Sequence, residues 1–158
     1  MAVDYFLKIE GVEGESKDAT HAGELELLSW SWGESNSGSS SLGTGLGAGK
    51  VDMSDFTFMI YTMKGSPKLQ EKCATGEHIA SAVLTCRKAG GEGQEYMTYT
   101  FTDLIVSSFQ ISGSSENPTE AISFNFTKIQ QKYRPQDEKG QLGDNIEWGY
   151  DLKANQKV

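Results

Sequence analysis

The reactive side chains of this 158-residue chain are few: two cysteines, Cys73 and Cys86, and two histidines, His21 and His78. Cys73, His78 and Cys86 can be written as three metal ligands. Their spacing fits no common zinc pattern and a fourth ligand is missing, so no metal site is assigned and the cysteines read as free thiols. A catalytic nucleophile needs a serine or cysteine beside a histidine that an acid orients. No G-x-S-x-G elbow occurs, and two histidines leave few ways to build a triad. Neighbouring carboxylates stand at Glu13 and Glu15, Glu24 and Glu26, Asp52 and Asp55, and Asp137 and Glu138. Such pairs are ordinarily solvated surface, so no enzyme activity is assigned. The glycine run Gly43, Gly45, Gly47, Gly49 with Lys50 invites a phosphate-loop reading. In G-x-x-x-x-G-K-[ST] the first glycine would stand where Thr44 is, and Val51 occupies the Ser/Thr position. As a dinucleotide fingerprint, Gly43-x-Gly45-x-x-Ala48 follows a serine run and precedes a strand, where a preceding strand and a following helix are needed. No cofactor is expected, and the run reads as a linker or assembly loop.

The scaffold for these residues reads as mainly β. Short stretches rich in β-formers lie at 3–9, 24–32, 51–63, 79–88, 95–109, 121–133 and 146–152. Loops are expected at 11–23, 112–117 and 134–144, and a turn-rich connection at 89–93 suggests a hairpin. Between 35 and 49, ten of 15 residues are Gly or Ser, too few apolar groups to bury a face, so a flexible loop is expected at about 35–50. One helix is signalled: Ser66 as N-cap, Pro67 in the first turn, Leu69 and Cys73 on one stripe, and Gly76 at the left-handed end. Many short strands and one helix make a β-barrel or a sandwich of two sheets, with one short flanking α-helix, as a single domain over 1–158.

Composition removes other classes. With Lys plus Arg at 14 against Asp plus Glu at 22, the net charge is −8, and Arg87 and Arg134 are the only arginines, so nucleic acid is not an expected partner. No apolar run approaches the ~20 residues of a membrane helix, so no membrane insertion is expected. The N-terminus, with Asp4 and no basic region ahead of an apolar one, does not read as a secretory signal.

Strand alternation isolates one unusual surface. Trp30 and Trp32 alternate with Ser29 and Ser31, and Ile122, Phe124 and Phe126 with Ser123, Asn125 and Thr127. The polar side is small and uncharged, where a free sheet face usually carries Lys and Glu. It is either an ordinary solvated face or a wall that looks onto an enclosed space.

The chain resembles the Hcp (haemolysin-coregulated protein) family, the tube protein of bacterial type VI secretion. The resemblance rests on Gly14-Glu15-Ser16-Lys17-Asp18 with Thr20-His21, Ser29-Trp30-Ser31-Trp32-Gly33, and Gly47-Ala48-Gly49-Lys50-Val51. Ser66-Pro67-x-Leu69, Cys73, Thr75-Gly76-x-His78 and Arg87-Lys88-Ala89-Gly90-Gly91 continue it. Glu95-Tyr96, Val106-Ser107-Ser108 and Tyr133-x-Pro135-Gln136 complete it. Trp148-Gly149-Tyr150-Asp151 departs slightly from the family's Gly-Trp-Asp.

That resemblance implies a structural subunit, not an enzyme. Six copies form a ring, rings stack into a tube inside a contractile sheath, and contraction expels the tube with effector proteins in its lumen. The implied partners are further copies of the chain, sheath, spike and baseplate proteins, and effectors. The implied location is the bacterial cytoplasm followed by secretion without a cleaved signal, and a chain ending at Val158 is expected to be the form without a fused enzyme domain. Ser29, Ser31, Ser123, Asn125 and Thr127 are then expected on the lumen wall, with Ser114 and Ser115 reaching the channel from their loop. Gly43, Gly45, Gly47, Gly49 and Lys50 are expected to serve ring stacking. The rival readings are a monomeric β-sandwich binding module, for carbohydrate for example, and an enzyme of unrecognised type.

Overall fold

The computed structural model describes residues 3–38, 49–88, 93–114 and 116–158. In chain order the strands are β1 Val3–Ile9, β2 Leu25–Glu26, β3 Ser29–Ser31, β4 Glu34–Asn36, β5 Val51–Met53 and β6 Phe56–Tyr61. The helix α1 Ser66–Thr75 follows, then β7 Ile79–Lys88, β8 Gln94–Ser112, β9 Thr119–Tyr133, β10 Ile146–Asp151 and β11 Gln156–Lys157. Alternating apolar residues build them: Phe56, Phe58 and Ile60 point inward from β6, as do Ile122, Phe124 and Phe126 from β9. Phe56, Phe58, Phe101 and Phe124 are fully buried, and burying each stabilises the fold by about 1.5–3 kcal/mol. Trp30 and Trp32 are half-buried at the core's margin, Trp30 stacked on Phe56 and Trp32 on Trp148.

Nine strands form one sheet, and β4 with β5 forms a second, two-stranded one. The large sheet folds over on itself. β9 pairs with β8 along its length, but its other edge is shared: residues 128–133 pair with β10 and residues 119–124 with β6. Between those halves the inward face changes parity. Phe101 and Leu104 on β8, and Phe126 and Ile129 on β9, are all buried although each pair is three residues apart. Asp103 sits at this bend with φ 55°, a left-handed conformation that Asp tolerates better than most residues. Its carboxylate is held by His78 Nδ1 at 2.7 Å and Lys153 Nζ at 3.7 Å. One layer is then β10, the C-terminal half of β9, the N-terminal half of β8, β7, β1 and β2, and the other is the remaining halves of β8 and β9 with β6 and β3.

The segment 24–32 is not one strand. Leu27 N–H donates to Tyr5 O at 2.9 Å in the first layer, and Leu28 N–H donates to Met59 O at 2.8 Å in the second. Consecutive amides bonded to different layers force the chain to step across. The barrel stays open at that step, and the result is a flattened, sandwich-like barrel. Segment 51–63 is also interrupted, at Ser54 and Asp55. There Ser54 N–H donates to Gly33 O, and the Gly33 N–H donates to Ser54 Oγ, both at 2.8 Å. The base of the expected 35–50 loop is the β4–β5 ribbon, with Ser35 and Asn36 in β4.

Ser66 is not the helix cap. Gly65 occupies that position without a side-chain bond. The Ser66 hydroxyl accepts the Met63 N–H at 3.0 Å and donates to Glu120 Oε1 at 2.8 Å. Pro67 does lie in the first turn, and Gly76 closes the helix at φ 69° with its N–H on Lys72 O. Leu69 is fully buried and Cys73 half-buried, as a shared stripe requires. Among the described residues no helix is long and apolar enough to cross a membrane.

Candidate functional site

The outward face of the β3–β6–β9–β8 layer collects the small polar residues. Register places Ser31 beside Thr57, Thr57 beside Ser123, and Ser123 beside Ser108, a row of four hydroxyl side chains across four strands. The Thr57 and Ser123 hydroxyls are 2.8 Å apart. The next row is Ser29, Met59, Ala121 and Gln110, and the one beyond it Tyr61, Thr119 and Ser112. Asn125 lies opposite Ile105 on the other side of the hydroxyl row. None of these positions carries a charge. Asp55, hydrogen-bonded by Ser107, stands at the border of the face. Met59 and Tyr61 are exposed, with Leu28 exposed at the adjoining step, so the wall grades from hydroxyl-rich to apolar.

Ser29, Ser31, Ser123 and Asn125 therefore share one surface. Thr127 does not: it lies at the bend, where its hydroxyl donates to Thr102 O at 3.0 Å and its carbonyl accepts the Leu152 N–H. Ser114 is exposed in the loop after β8, and Ser115 lies outside the described residues. Thr57, Ser108 and Gln110 belong to the face but were not picked out from sequence. The alternation that turns Phe56 and Phe58 inward turns Thr57 outward, so the signal was present for Thr57.

Gly43, Gly45 and Gly47 also lie outside the described residues. Gly49 and Lys50 stand at the foot of the ribbon, where Gly49 bonds to the Asn36 side chain. A Cβ on Gly49 would meet Ser37 O at 3.0 Å, a tight contact to which the Ser37 backbone would have to yield slightly.

A second cluster gathers residues from motifs far apart in the chain. Arg87 bonds Asp18 at 2.7 and 2.9 Å and Asp4 at 3.0 Å, with its guanidinium over the Phe6 ring. His21 stacks on Phe6 at 4.5 Å, its Nδ1 2.9 Å from Glu24 and its Nε2 2.6 Å from Glu95. The Arg87 hydrogen bond holds the Asp18 carboxyl well below the usual carboxylate range. Burial alone lowers the His21 pKa, but the hydrogen bonds and charges of Glu24 and Glu95 outweigh it, so the net shift is upward. Gly14 permits this packing, since a Cβ there would lie 2.3 Å from Glu24 O. The cluster fastens the 11–23 loop to β1, β7 and β8, which makes it scaffold. Both His21 ring nitrogens are taken by carboxylates, and His78 bonds Asp103. Among the described residues no serine or cysteine is hydrogen-bonded to either ring, and no group of three or more His, Cys, Asp or Glu could hold a metal.

Comparison with known proteins agrees with this architecture. The family described as "Type VI secretion system effector, Hcp" matches residues 6–133. Protein hcp1 of Pseudomonas aeruginosa is 48% identical, with 98% of each chain covered. The crystal structure of Hcp1 from Salmonella typhimurium superposes with a TM-score of 0.84 at 40% identity, covering 100% of both chains. A solved type six secretion system protein gives a TM-score of 0.92 at 32% identity, covering 99% of this chain and 100% of that one. With a family match over most of its length and relatives of this identity, the chain belongs to the Hcp family of the bacterial type VI secretion system.

Proposed function

We propose that this chain is the repeating subunit of a secretion tube. Six copies close into a ring, and rings stack through the segment between β4 and β5. The β3–β6–β9–β8 face lines a lumen that carries effector proteins, and the tube is expelled from the cell. Its other partners are the sheath, spike and baseplate proteins, and it performs no catalysis of its own. The observation that carries the reading is the uncharged wall: Ser31, Thr57, Ser123 and Ser108 in one row, bordered by Met59 and Ala121. A surface that contacts many unrelated clients gains from hydroxyls that can both donate and accept, and from weak apolar contacts, without fixing a charge pattern.

Two measurements test this. Light scattering on the purified protein is expected to give six times the 17.3 kDa chain mass, and a chain-mass species at micromolar concentration overturns the ring. Ser31→Gln adds bulk to the wall without touching the core. It should leave ring mass unchanged while lowering the cellular level of a co-expressed effector. Loss of the ring would instead place Ser31 at a subunit interface.

A further inference from the structure

Strand β8 carries one residue more than its partner along the hydroxyl-rich face. Val106 lies opposite Phe124 and Ser108 opposite Ser123, so Ser107 has no opposite number and forms a β-bulge. The extra residue decides which side chains turn outward. Leu104 and Val106 are buried before it, and Phe109 packs on the core after it. Ser108, Gln110 and Ser112 consequently lie opposite Ser123, Ala121 and Thr119 on the hydroxyl-rich face. Were Ser107 taken into the ladder opposite Ser123, every later residue of β8 would change sides, and Phe109 and Ile111 would stand on that face instead.

An acid from another strand holds the bulge. The Ser107 hydroxyl donates to the Asp55 carboxylate. Phe124 is the register partner of both Phe56 and Val106, so β9 lies between β6 and β8. The contact therefore reaches across β9, from the residue just before β6 to the bulge. Asp55 is placed in turn by its neighbour: Ser54 N–H donates to Gly33 O and Ser54 Oγ accepts the Gly33 N–H, both at 2.8 Å. A bond to a carboxylate is of the stronger, charge-assisted kind, and Ser107 is exposed, so packing does not hold it in place of that bond.

We propose that Asp55 is a positioning residue for the wall. By accepting the Ser107 hydroxyl it keeps Ser107 out of the ladder. Clients then meet Ser108, Gln110 and Ser112, not Phe109 and Ile111. This rests on the reading above that the β3–β6–β9–β8 face lines the lumen.

The test compares Asp55→Ala, Ser107→Ala, the double variant and Asp55→Asn in the full chain, with Ser31→Gln alongside. It reads ring mass by light scattering, hydrogen exchange over residues 104–112 by mass spectrometry, and the cellular level of the same co-expressed effector. Both alanine variants should keep ring mass, exchange the amides around the bulge about tenfold faster, as loss of one hydrogen bond implies, and lower the effector level several-fold. The double variant should be no worse than either single one, because both remove the same bond. Asp55→Asn keeps an oxygen that accepts the Ser107 hydroxyl, so it should lie nearer wild type than Asp55→Ala does. Unchanged exchange, effects that add in the double variant, or an Asp55→Asn protein as impaired as Asp55→Ala refutes the clasp. A normal effector level in the alanine variants while Ser31→Gln lowers it also refutes the clasp, and leaves the lumen standing. If Ser31→Gln and the alanine variants all leave the effector level unchanged, the lumen reading fails, and with it the role of Asp55.

Discussion

Ser66 offers a test in which two accounts of one residue predict different numbers. Its side chain is fully buried, as is Glu120, and its hydroxyl donates to Glu120 Oε1 at 2.8 Å while accepting the Met63 N–H at 3.0 Å. Thr62 Oγ1 donates to the other oxygen, Oε2, at 2.8 Å. Both carboxylate oxygens thus accept one hydroxyl, which ties the start of α1 to β9. Ser66→Ala removes a bond to a charged group, worth about 1.5–3 kcal/mol, and leaves Oε1 without a partner where water does not reach. Alanine is a better helix former than serine by a few tenths of a kcal/mol, so helix propensity opposes the loss slightly. The net expectation is a loss of about 3 kcal/mol. If Ser66 acted only as a cap, Ser66→Ala would cost about 1 kcal/mol and Ser66→Gly only a few tenths.

Urea unfolding followed by tryptophan fluorescence measures the difference. Protomer concentration must be held fixed, because assembly adds concentration-dependent stability. At a slope of about 1–3 kcal/mol per molar urea, the midpoint should fall by at least about 1 M. Ser66→Asp separates the accounts further: aspartate is a good cap, but here it would set a second carboxylate against Glu120, so it should be worse than alanine. In a Glu120→Gln background the acceptor is neutral, and the Ser66→Ala cost should shrink by about 1 kcal/mol or more. An aspartate variant as stable as wild type, or equal costs in the two backgrounds, refutes the carboxylate account. Thr62→Val should cost less than Ser66→Ala, since Thr62 is exposed and water can replace its hydroxyl.

His21 should make stability pH-dependent. Its folded pKa is raised above the unfolded value of about 6.5, so its contribution is full below that pH and is lost as pH rises through the folded value. Wild type should lose urea midpoint over this window, and His21→Gln should flatten the profile; parallel slopes would count against the Glu24–His21–Glu95 arrangement. Cys86 is buried and its thiol is pushed up to about 12, whereas Cys73 is half-buried. A disulfide-exchange reagent should therefore modify Cys73 first in the native protein and reach Cys86 only on unfolding, with two thiols per denatured chain; equal native rates would contradict this burial.

Much of the β architecture was legible because burial imprints a period of two. Val3–Ile9 and Ile79–Lys88 coincide with the apolar runs that mark them, and the inward faces of β6 and of β9 as far as Phe126 follow strict alternation. The errors lie where that period slips. Leu25 and Leu27 are buried at odd positions, while Trp30 and Trp32 pack at even ones, so the step between layers is written as a parity change at Leu27 and Leu28. The same slip separates Phe101 from Leu104 and Phe126 from Ile129. Reading each segment as one strand discards this information. Pairing partners are a different matter: alternation says which side a residue faces, and nothing local says that Ser31 will lie beside Thr57 or Asp18 beside Arg87. The Ser66 error has a further cause, since a serine before proline suits a cap equally well, and only the long-range contact with Glu120 decides its role.

The bend in β8 and β9 also sorts charge, and this bears on what the two layers face. Outward residues of β9 before the bend are Thr119, Ala121, Ser123 and Asn125; beyond it they are Lys128, Gln130 and Lys132. Lys132 approaches Glu147 at 3.8 Å, both exposed, an ordinary arrangement for a face in water. One strand thus changes from uncharged to lysine-bearing within three residues, at the level where it passes between layers. Solvent exposure alone gives no reason for the difference, because Asn125 and Lys132 are both exposed. The symmetry of the proposed ring would supply one. A lysine on a lumen wall is repeated by every subunit, so its charge would face its own copies across the channel, and every client would meet a single-sign field. A charge on an outward layer meets solvent, counter-ions and a neighbouring carboxylate. The absence of lysine from the Ser31 layer is the pattern that enclosure by symmetry-related copies would select.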